Sequence, residues 1–262
     1  MIICADDFGL AGDINKATLD LLERGRVTAV SVMAGLENLG REDIAPLLEF
    51  SGKADIGLHL TLTDEGIPSS QFPGSIAPGG RFMSFGKLAL RCYAGQVNPD
   101  DAKGDISAQY DLFISKAGRA PDFIDGHLHV QQLPGVREGL CDFIGTLPAN
   151  QRPYVRNAYT PLTFAGGLHG WKRNILSIPG RGLRNMLAHK DICTNSGFEG
   201  VYNYNRFGDY PKLIESFFAR LRDPNGILMI HPGLDERWRK MEYETLRGAD
   251  LGHVRVNRFM RP

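Results

Sequence analysis

The sequence contains few cysteines, and none of them form a pair at metal-binding or redox spacing. Among 262 residues there are four, Cys4, Cys92, Cys141 and Cys193, and no C-x-x-C occurs. This absence excludes a zinc ribbon and a thioredoxin-like redox pair. The first residues carry two carboxylates by position 7 and no basic segment, which is unlike a signal peptide. We therefore expect reduced thiols and a cytoplasmic protein.

An excess of charge and a long hydrophobic run are also missing. Lys plus Arg and Asp plus Glu both number 30, so the formal net charge is zero at pH 7. This balance excludes the basic surface of a nucleic-acid-binding protein and a polybasic membrane anchor. No run of about 18 apolar residues occurs, so no transmembrane helix is predicted. The composition, with 42% hydrophobic and 23% charged residues, is typical of a globular protein.

Two common catalytic motifs are absent as well. The sequence has neither the G-x-x-x-x-G-K-[ST] pattern of a P-loop nor the G-x-S-x-G pattern of a serine hydrolase. A nucleotide-binding loop and a serine nucleophile on an elbow are therefore excluded, and the chemistry has to come from other side chains.

Short apolar runs alternate with amphipathic segments along the chain. This alternation predicts an α/β protein with a mostly parallel sheet and helices outside it. Seven or eight candidate strands in a single domain, 1–262, favour a closed or nearly closed barrel over the alternative, an open doubly wound sheet. The predicted strands are 1–5, 28–33, 55–61, 122–130, 153–157, 226–230 and 253–256, and the predicted helices are 13–25, 41–50, 100–117, a segment after Pro134, and 213–221.

Two segments do not fit the alternation of strands and helices. Residues 64–80 hold three prolines and four glycines, and residues 157–200 include a basic stretch from Lys172 to Lys190. Long irregular loops in a compact domain are often functional, so both are predicted to line a substrate cleft. The alternative is that they are surface insertions without a role in the site.

Ionisable side chains stand at the carboxyl ends of five predicted strands. In a parallel α/β barrel these ends meet on one face, where active sites are built. Each group alone has an ordinary explanation, such as a solvated turn for the two aspartates or a hydrogen-bonded core position for a lone histidine. The groups that share this predicted face are Asp6, Asp7, His59, Asp125, His127, His129, Arg156 and His231.

The segment Asp125-Gly-His-Leu-His carries the strongest signal. Residues two apart on a strand share a face, so Asp125, His127 and His129 are predicted to point the same way. Burying three such groups without partners costs several kcal/mol, so a metal ion or a hydrogen-bond network is expected there. One carboxylate with two imidazoles suits zinc in an open, catalytic type of site, and magnesium or manganese remain open.

Four short motifs resemble those of the YdjC-like carbohydrate deacetylases, which include chitooligosaccharide deacetylases and hopanoid-biosynthesis-associated proteins. The motifs are ADDFG at 5–9, GLHLT at 57–61, DGHLHV at 125–130 and MIHPG at 229–233, in the order of that family. The resemblance implies a distorted TIM-like barrel related to NodB-type deacetylases. It also implies one divalent metal ion, often magnesium, and hydrolysis of an N-acetyl group on a sugar.

The resemblance also implies roles for individual residues. Asp7, His59 and His127 correspond to metal ligands, Asp6 to the catalytic base, and His231 to the acid or transition-state partner. We further predict substrate contacts for Arg156, Asp125 and His129, although a surface ion pair is an equal alternative for Arg156. Residues 148–200 match no part of the family pattern, so the resemblance does not identify the sugar.

Two other functions stay open at this point. One is a different metal hydrolase, an esterase or a phosphoesterase, although a second set of carboxylates for a second metal is not evident in the sequence. The other is a sugar-binding or regulatory protein on the same barrel, which would be expected to have lost at least one of the five metal-binding and acid-base residues. The predicted partner is an N-acetylated sugar, with no nucleic acid, and a homodimer stays open.

Overall fold

A parallel sheet of seven strands organises the described part of the chain. The computed structural model describes residues 1–160, 167–204, 208–221, 223–249 and 256–261, and for 167–173 it describes the backbone alone. The sheet order is β5-β4-β3-β2-β1-β7-β6, and every neighbouring pair is parallel. The strands are β1 Ile2–Phe8, β2 Ala29–Val32, β3 Asp55–Leu60, β4 Phe123–Gly126, β5 Tyr154–Val155, β6 Gly197–Glu199 and β7 Gly226–Ile230.

The helices lie outside the sheet, and all of them except α8, which follows β7, lie in the connections between these strands. Short 3₁₀ turns cover Gly74–Ile76, His127–Gln132 and Ala149–Gln151. None of the helices in the described ranges has the length and apolar content needed to cross a membrane. The α-helices are α1 Gly12–Glu23, α2 Arg41–Leu48, α3 Phe85–Tyr93, α4 Pro99–Ala117, α5 Val136–Thr146, α6 Gly167–His189, α7 Tyr210–Arg220 and α8 Arg237–Gly248.

The sheet curls until its two edges approach each other. Val155, at the end of β5, forms an isolated parallel bridge with Thr194, which lies just before β6. The Val155 N–H donates to the Cys193 carbonyl at 2.9 Å, and the Thr194 hydroxyl donates to the Val155 carbonyl at 2.7 Å. The predicted nearly closed, distorted barrel is therefore confirmed, and the open doubly wound alternative is wrong.

Two hydrophobic clusters follow from the alternation of side chains along the strands. Ile3 and Ala5 of β1 belong to the large cluster between the sheet and the helices. Ile2 and Cys4 belong to a smaller cluster on the inner face of the curled sheet. Asp6 continues the inner series, and this alternation brings a carboxylate into the barrel at the carboxyl end of β1.

Several elements differ from the prediction. The first strand continues through Asp6 and Asp7 to Phe8, with an irregular register between Ala5 and Phe8. Residues 167–189 form a 23-residue helix where an irregular segment was expected, and β6, α3 and α8 were not predicted. The last predicted strand, 253–256, lies almost wholly outside the described residues.

Gly200, directly after β6, is a position where only glycine fits. Its φ is +113°, a conformation that side chains rarely adopt, and a Cβ there would collide with the Met229 carbonyl oxygen on β7. We expect Gly200→Ala to lower the free energy of unfolding by at least about 1–3 kcal/mol, measured by urea denaturation.

Gly145 in α5 is the matched control for this prediction. A Cβ there meets nothing within 4 Å, so Gly145→Ala is expected to leave stability unchanged or to raise it by about 0.5–1 kcal/mol through helix propensity. An unfolding midpoint of Gly200→Ala equal to that of the unaltered protein would contradict the proposed clash.

Candidate active site

The predicted site residues gather around one cavity at the carboxyl ends of the strands. The cavity has a volume of about 430 Å³. We use the term polar floor for the five side chains Asp6, Asp7, His59, His127 and His231, all of which line it. They come from β1, from β3, and from the turns that follow β4 and β7. The topology therefore brings together, on one face, groups that are as much as 225 residues apart in the sequence.

Asp7, His59 and His127 form a cluster that is suited to a divalent ion. One ligand atom from each lies within 4.8 Å of the others. The Asp7 Oδ1 is 2.9 Å from His127 Nδ1 and 3.4 Å from His59 Nε2. When two ligand atoms each lie about 2.1 Å from one ion, their separation depends on the ligand–ion–ligand angle. It is about 3.0 Å for a right angle and about 3.4 Å for a tetrahedral angle. The donor set and its spacing therefore fit one ion.

Asp125 fixes the orientation of His59 from behind. Its Oδ1 is 2.6 Å from His59 Nδ1, and the Ser31 hydroxyl on β2 donates to the same carboxylate oxygen. Burial opposes protonation of His59, but the charge and hydrogen bond of Asp125, together with the carboxylates of Asp7 and Asp6, outweigh it and raise the pKa of His59 to about 10. A carboxylate that holds one ring nitrogen leaves the other directed at the cluster, the usual arrangement behind a metal-binding histidine.

Arg156 lies beneath the cavity and pairs with two carboxylates. Its Nη1 and Nη2 donate to the Asp6 oxygens at 2.5 and 2.6 Å, and its Nε is 3.0 Å from Asp125 Oδ2. Cys4, Asp6 and Asp125 also lie close enough to one another to hold an ion. Because the guanidinium already supplies a positive charge to both carboxylates, this second cluster does not fit another cation.

Asp6 and Asp7 are adjacent in the sequence but face different partners, because the backbone is irregular at Asp7. Asp7 has a φ of +66°, and the ladder register shifts between Ala5 and Phe8. Asp is among the residues that tolerate this left-handed region best. The irregularity sends Asp7 toward His59 and His127, while Asp6 faces Arg156.

The prediction that Asp125, His127 and His129 share one strand face is wrong. Strand β4 ends at Gly126, and a 3₁₀ turn begins at His127, with Leu128 and His129 in the left-handed region. The turn brings His127 to Asp7 and packs His129 edge-on against Phe198, with ring centroids 5.4 Å apart. Burial, reinforced by Arg156, lowers the pKa of His129 to about 3, so this histidine is neutral.

The predicted substrate-contacting residues divide into two groups. His129 lines the cavity, so its contact with substrate stays a prediction. Arg156 and Asp125 are both fully buried, and neither appears among the described residues that line the cavity. The alternative of a surface ion pair for Arg156 is also wrong, since both of its partners are buried carboxylates.

Aromatic side chains surround His231. Tyr204 and Trp238 each lie with their ring centroid 5.5 Å from that of the imidazole, at steep angles. Burial lowers the pKa of His231 to about 4, so the ring is neutral near pH 7. Its Nδ1 has no hydrogen-bond partner among the described residues.

Helix α8 supplies two further residues of the site that no sequence pattern indicated. Arg239 is 7% exposed, and its Nη2 donates to Asp7 Oδ2 at 2.7 Å. Glu242 accepts hydrogen bonds of 2.5 Å from the Tyr202 hydroxyl and from the His231 N–H. Both lie in a stretch rich in charged residues, a composition that is typical of a solvent-exposed helix.

Glu242 gives a testable pH dependence of stability. Burial raises its pKa to about 7, above the ordinary value of 4.5. A carboxyl group whose pKa is raised in the folded state contributes most below about pH 4.5, and its contribution falls as the pH rises through 7. We expect a loss on the order of 3 kcal/mol in the free energy of unfolding between pH 4.5 and 8 from this residue.

The test of this prediction compares urea denaturation at pH 5 and pH 8. Glu242→Gln should show a smaller drop in stability than the unaltered protein over this interval. Glu244→Gln, at an exposed position on the same helix, should retain the full drop. If the free energy of unfolding fell equally in the unaltered protein and in Glu242→Gln, Glu242 would not be the source of this pH dependence.

The walls of the cavity are mainly apolar above the polar floor. Of the two segments predicted to line a cleft, 157–200 contributes Ile175 and Leu176 of α6. The segment 64–80 contributes no described lining residue to this cavity and borders a separate pocket of about 230 Å³ instead. Its one connection to the site is Glu65, with Oε1 3.6 Å from His127 Nε2.

Two curated proteins show which known sequences this chain is similar to. A chitooligosaccharide deacetylase of Serratia marcescens is 29% identical over 136 residues, which cover 52% of each chain. A carbohydrate deacetylase of Homo sapiens is 32% identical over 142 residues, which cover 52% of this chain and 42% of that protein. The chain thus spans about half the length of the curated relatives it matches.

A solved structure and a family model extend the comparison to nearly the whole chain. The crystal structure of a "putative cellobiose-phosphate cleavage protein" from Enterococcus faecalis superposes with a TM-score of 0.63 at 19% identity, covering 96% of this chain and 92% of that one, which shows a shared fold. The model of the YdjC-like proteins matches residues 1–254. Since that match includes every strand that the structure describes and all five residues of the polar floor, the chain belongs to the YdjC-like protein family.

Proposed function

We propose that this protein is a metal-dependent carbohydrate N-deacetylase, which hydrolyses the acetamido group of an amino sugar. The observation that carries the proposal is the polar floor, where a three-residue ligand set stands beside a separate carboxylate and an imidazole. Amide hydrolysis needs a nucleophile, a positive charge at the carbonyl oxygen and a proton for the leaving amine, and the floor offers a group for each. The names of the curated relatives support the same reaction.

Asp7, His59 and His127 would hold the ion. A divalent ion bound there would polarise the acetyl carbonyl and acidify water, which is the chemistry that such sites supply. Zinc and magnesium are both compatible with one carboxylate and two imidazoles, so the ion is proposed only as divalent. Asp125 acts through His59 by holding its ring, and Arg239 acts through Asp7 by bonding its outer oxygen.

Asp6 is the proposed general base. It lines the cavity next to Asp7 but is not one of the three proposed ligands, so the lone pairs that Arg156 leaves on its carboxylate are the proposed acceptors of a proton from the attacking water. The two hydrogen bonds from Arg156 fix the plane of this carboxylate. A base that is already held in one orientation loses less conformational entropy when it reaches the geometry of proton transfer. In the proposal Arg156 is thus a positioning residue, in place of the substrate contact predicted from the sequence.

His231 is the proposed proton donor to the leaving amine. It lines the same cavity, and Glu242 accepts a hydrogen bond from its backbone N–H, which fixes the position of the residue. Because its pKa is about 4, His231 is neutral at rest and must acquire its proton within the catalytic cycle. The attacking water releases a proton to Asp6 in that cycle, and transfer of this proton from Asp6 to His231 before the C–N bond breaks balances the step without an outside acid.

The proposed substrate is an N-acetylated sugar, alone, in a short oligosaccharide or linked to a lipid. The aromatic rings of Tyr204 and Trp238 beside His231 support a ring-shaped substrate, because aromatic faces pack on the apolar face of a sugar ring. His129 is retained as a candidate substrate contact, since it lines the cavity and is neutral.

The other candidate functions receive less support. A phosphoesterase with two metal ions needs a second ligand set, and the second cluster among the described residues is occupied by the Arg156 guanidinium. A non-catalytic sugar-binding protein has no need of an intact base and acid, and both Asp6 and His231 are present.

The experiment that tests the proposal is a substrate panel. The protein is stripped of metal, divided into samples with Mg²⁺, Zn²⁺, Mn²⁺ or no addition, and assayed for acetate release from N-acetylated sugars. Matched O-acetyl sugars and sugar phosphates report on the esterase and phosphoesterase alternatives. We expect metal-dependent acetate release from the amides. Release only from the esters, phosphate release, or no hydrolysis at all would overturn the proposal.

A further inference from the structure

The cavity wall above the polar floor is too apolar for a substrate that is hydrophilic throughout. Its described lining residues include Phe85, Leu128, Ile175, Leu176, Val201 and Met229. Apart from the polar floor, its neighbours His129 and Arg239, and the polar groups of Tyr202, Tyr204 and Trp238, the described lining residues have no hydroxyl, amide or amino group in their side chains. Sugar hydroxyls placed against this wall would lose their bonds to water and find few replacements, at a cost in affinity.

Leu128 is the residue on this wall that most needs an explanation. It directly follows His127, has a φ of +53° and a ψ of +21°, and leaves its side chain 44% exposed. A bulky residue in the left-handed region is uncommon, and such backbone outliers cluster at ligand-binding sites. The turn therefore holds an apolar side chain toward open space, next to one of the proposed metal ligands.

Helix α6 presents a second exposed apolar strip. Ile175, which lines the cavity, is 47% exposed, and Ile178, one turn further along the helix, is 66% exposed. The strip continues from the cavity wall onto the outer surface of the helix. Contiguous exposed apolar side chains at a site commonly mark a surface that is covered when a ligand binds.

We infer that this wall, formed by Leu128 and by Ile175 and Ile178 of α6, binds a hydrocarbon chain that the substrate carries close to its N-acyl group. The inference rests on the proposed function and narrows its substrate to amphiphilic N-acylated sugars. Two groups of the substrate can supply this hydrocarbon chain. One is an alkyl group on the anomeric oxygen, and the other is an extended N-acyl group. A cavity of about 430 Å³ leaves room for several methylene groups beside one sugar ring.

The test measures kcat/KM over two substrate series and one polar reference. The first series is N-acetylglucosamine with methyl, butyl, hexyl and octyl groups on the anomeric oxygen, and the second is glucosamine with N-acyl chains of the same lengths. The reference is N,N′-diacetylchitobiose, in which a second sugar replaces the hydrocarbon. We expect kcat/KM to rise about three- to fourfold per methylene in one series, until the wall is covered. The series that rises identifies the source of the chain.

Variants locate the effect on this wall. Leu128→Asn and Ile175→Asn should reduce the preference for the octyl substrate over the disaccharide by about tenfold or more, since each removes a large apolar contact. Asparagine tolerates the left-handed region, so Leu128→Asn keeps the turn. Leu90→Asn, at a 71% exposed position on α3 outside the described cavity lining, should leave the preference unchanged.

A binding measurement separates this inference from the proposed function. Calorimetric titration compares the octyl glycoside of N-acetylglucosamine with the free sugar, and it requires no turnover. Tighter binding of the octyl glycoside that is lost in Leu128→Asn supports the inference even if no acetate is released, an outcome that would overturn the proposed function alone. A kcat/KM that does not change with chain length in both series, or that is highest for the disaccharide, would overturn the inference.

Discussion

Replacing His59 with alanine is expected to abolish the binding of a divalent ion and, with it, acetate release. The Nε2 of His59 is 3.4 Å from the Asp7 carboxylate, and its Nδ1 is held at 2.6 Å by Asp125. Changes to the partners behind a metal ligand cost about 10–100-fold in affinity, so loss of the ligand itself should exceed that range. The remaining Asp7 and His127 are too few to hold an ion at micromolar concentration.

Elemental analysis of dialysed protein measures this loss directly. His189→Ala is the matched control, because His189 is exposed at the end of α6 and lies outside the described cavity lining. Circular dichroism verifies that both variants are folded. Undiminished metal in His59→Ala would remove this residue from the ligand set and with it the assignment of the site.

Replacing Asp6 with asparagine is expected to remove a general base while the ion stays bound. The substitution is nearly isosteric, and Arg156 retains Asp125 as a carboxylate partner, so the fold should persist. A general base typically contributes about 10²–10⁴ to the rate, and a loss of that size in kcat is expected. Acetate release at saturating metal, together with metal content, measures the two properties separately.

Asp7→Asn is the matched variant for this second prediction, because it makes the same change one residue away. Asp7 faces His59 and His127 rather than Arg156, so this variant should lose metal affinity first, and excess metal should restore part of the activity. The opposite pattern, in which Asp6→Asn loses metal and Asp7→Asn keeps it, would reverse the two roles. Full activity in both variants would contradict the deacetylase proposal.

The main features of the fold and site were predictable because strand ends have a simple geometry. Apolar runs marked β1, β3 and β7, and the ionisable residues that interrupt or follow them had to meet at one edge of a parallel sheet. Strand direction alone therefore predicted which ionisable residues share this edge, but the choice of Asp7, His59 and His127 as ligands came from the family resemblance. The family resemblance added the roles, which spacing alone does not provide.

The details that were missed depend on interactions remote in sequence. The strand after Pro121 stops at Gly126 because the chain turns through two left-handed residues, and no local pattern distinguishes this turn from a continued strand. Arg239 and Glu242 look like surface residues of α8 until the helix packs against Asp7 and His231, respectively 232 and 11 residues away. The buried location of Arg156 likewise follows from its pairing with Asp6 across 150 residues.

We propose that amide hydrolysis at the polar floor requires a single ion, held by Asp7, His59 and His127. Titration of metal-free protein with Zn²⁺ or Mn²⁺, while acetate release from an N-acetylated sugar is followed, tests it most directly. We expect no activity without metal and a linear rise that ends at one ion per chain. Full activity in the metal-free protein, or a rise that continues to two ions per chain, would contradict it.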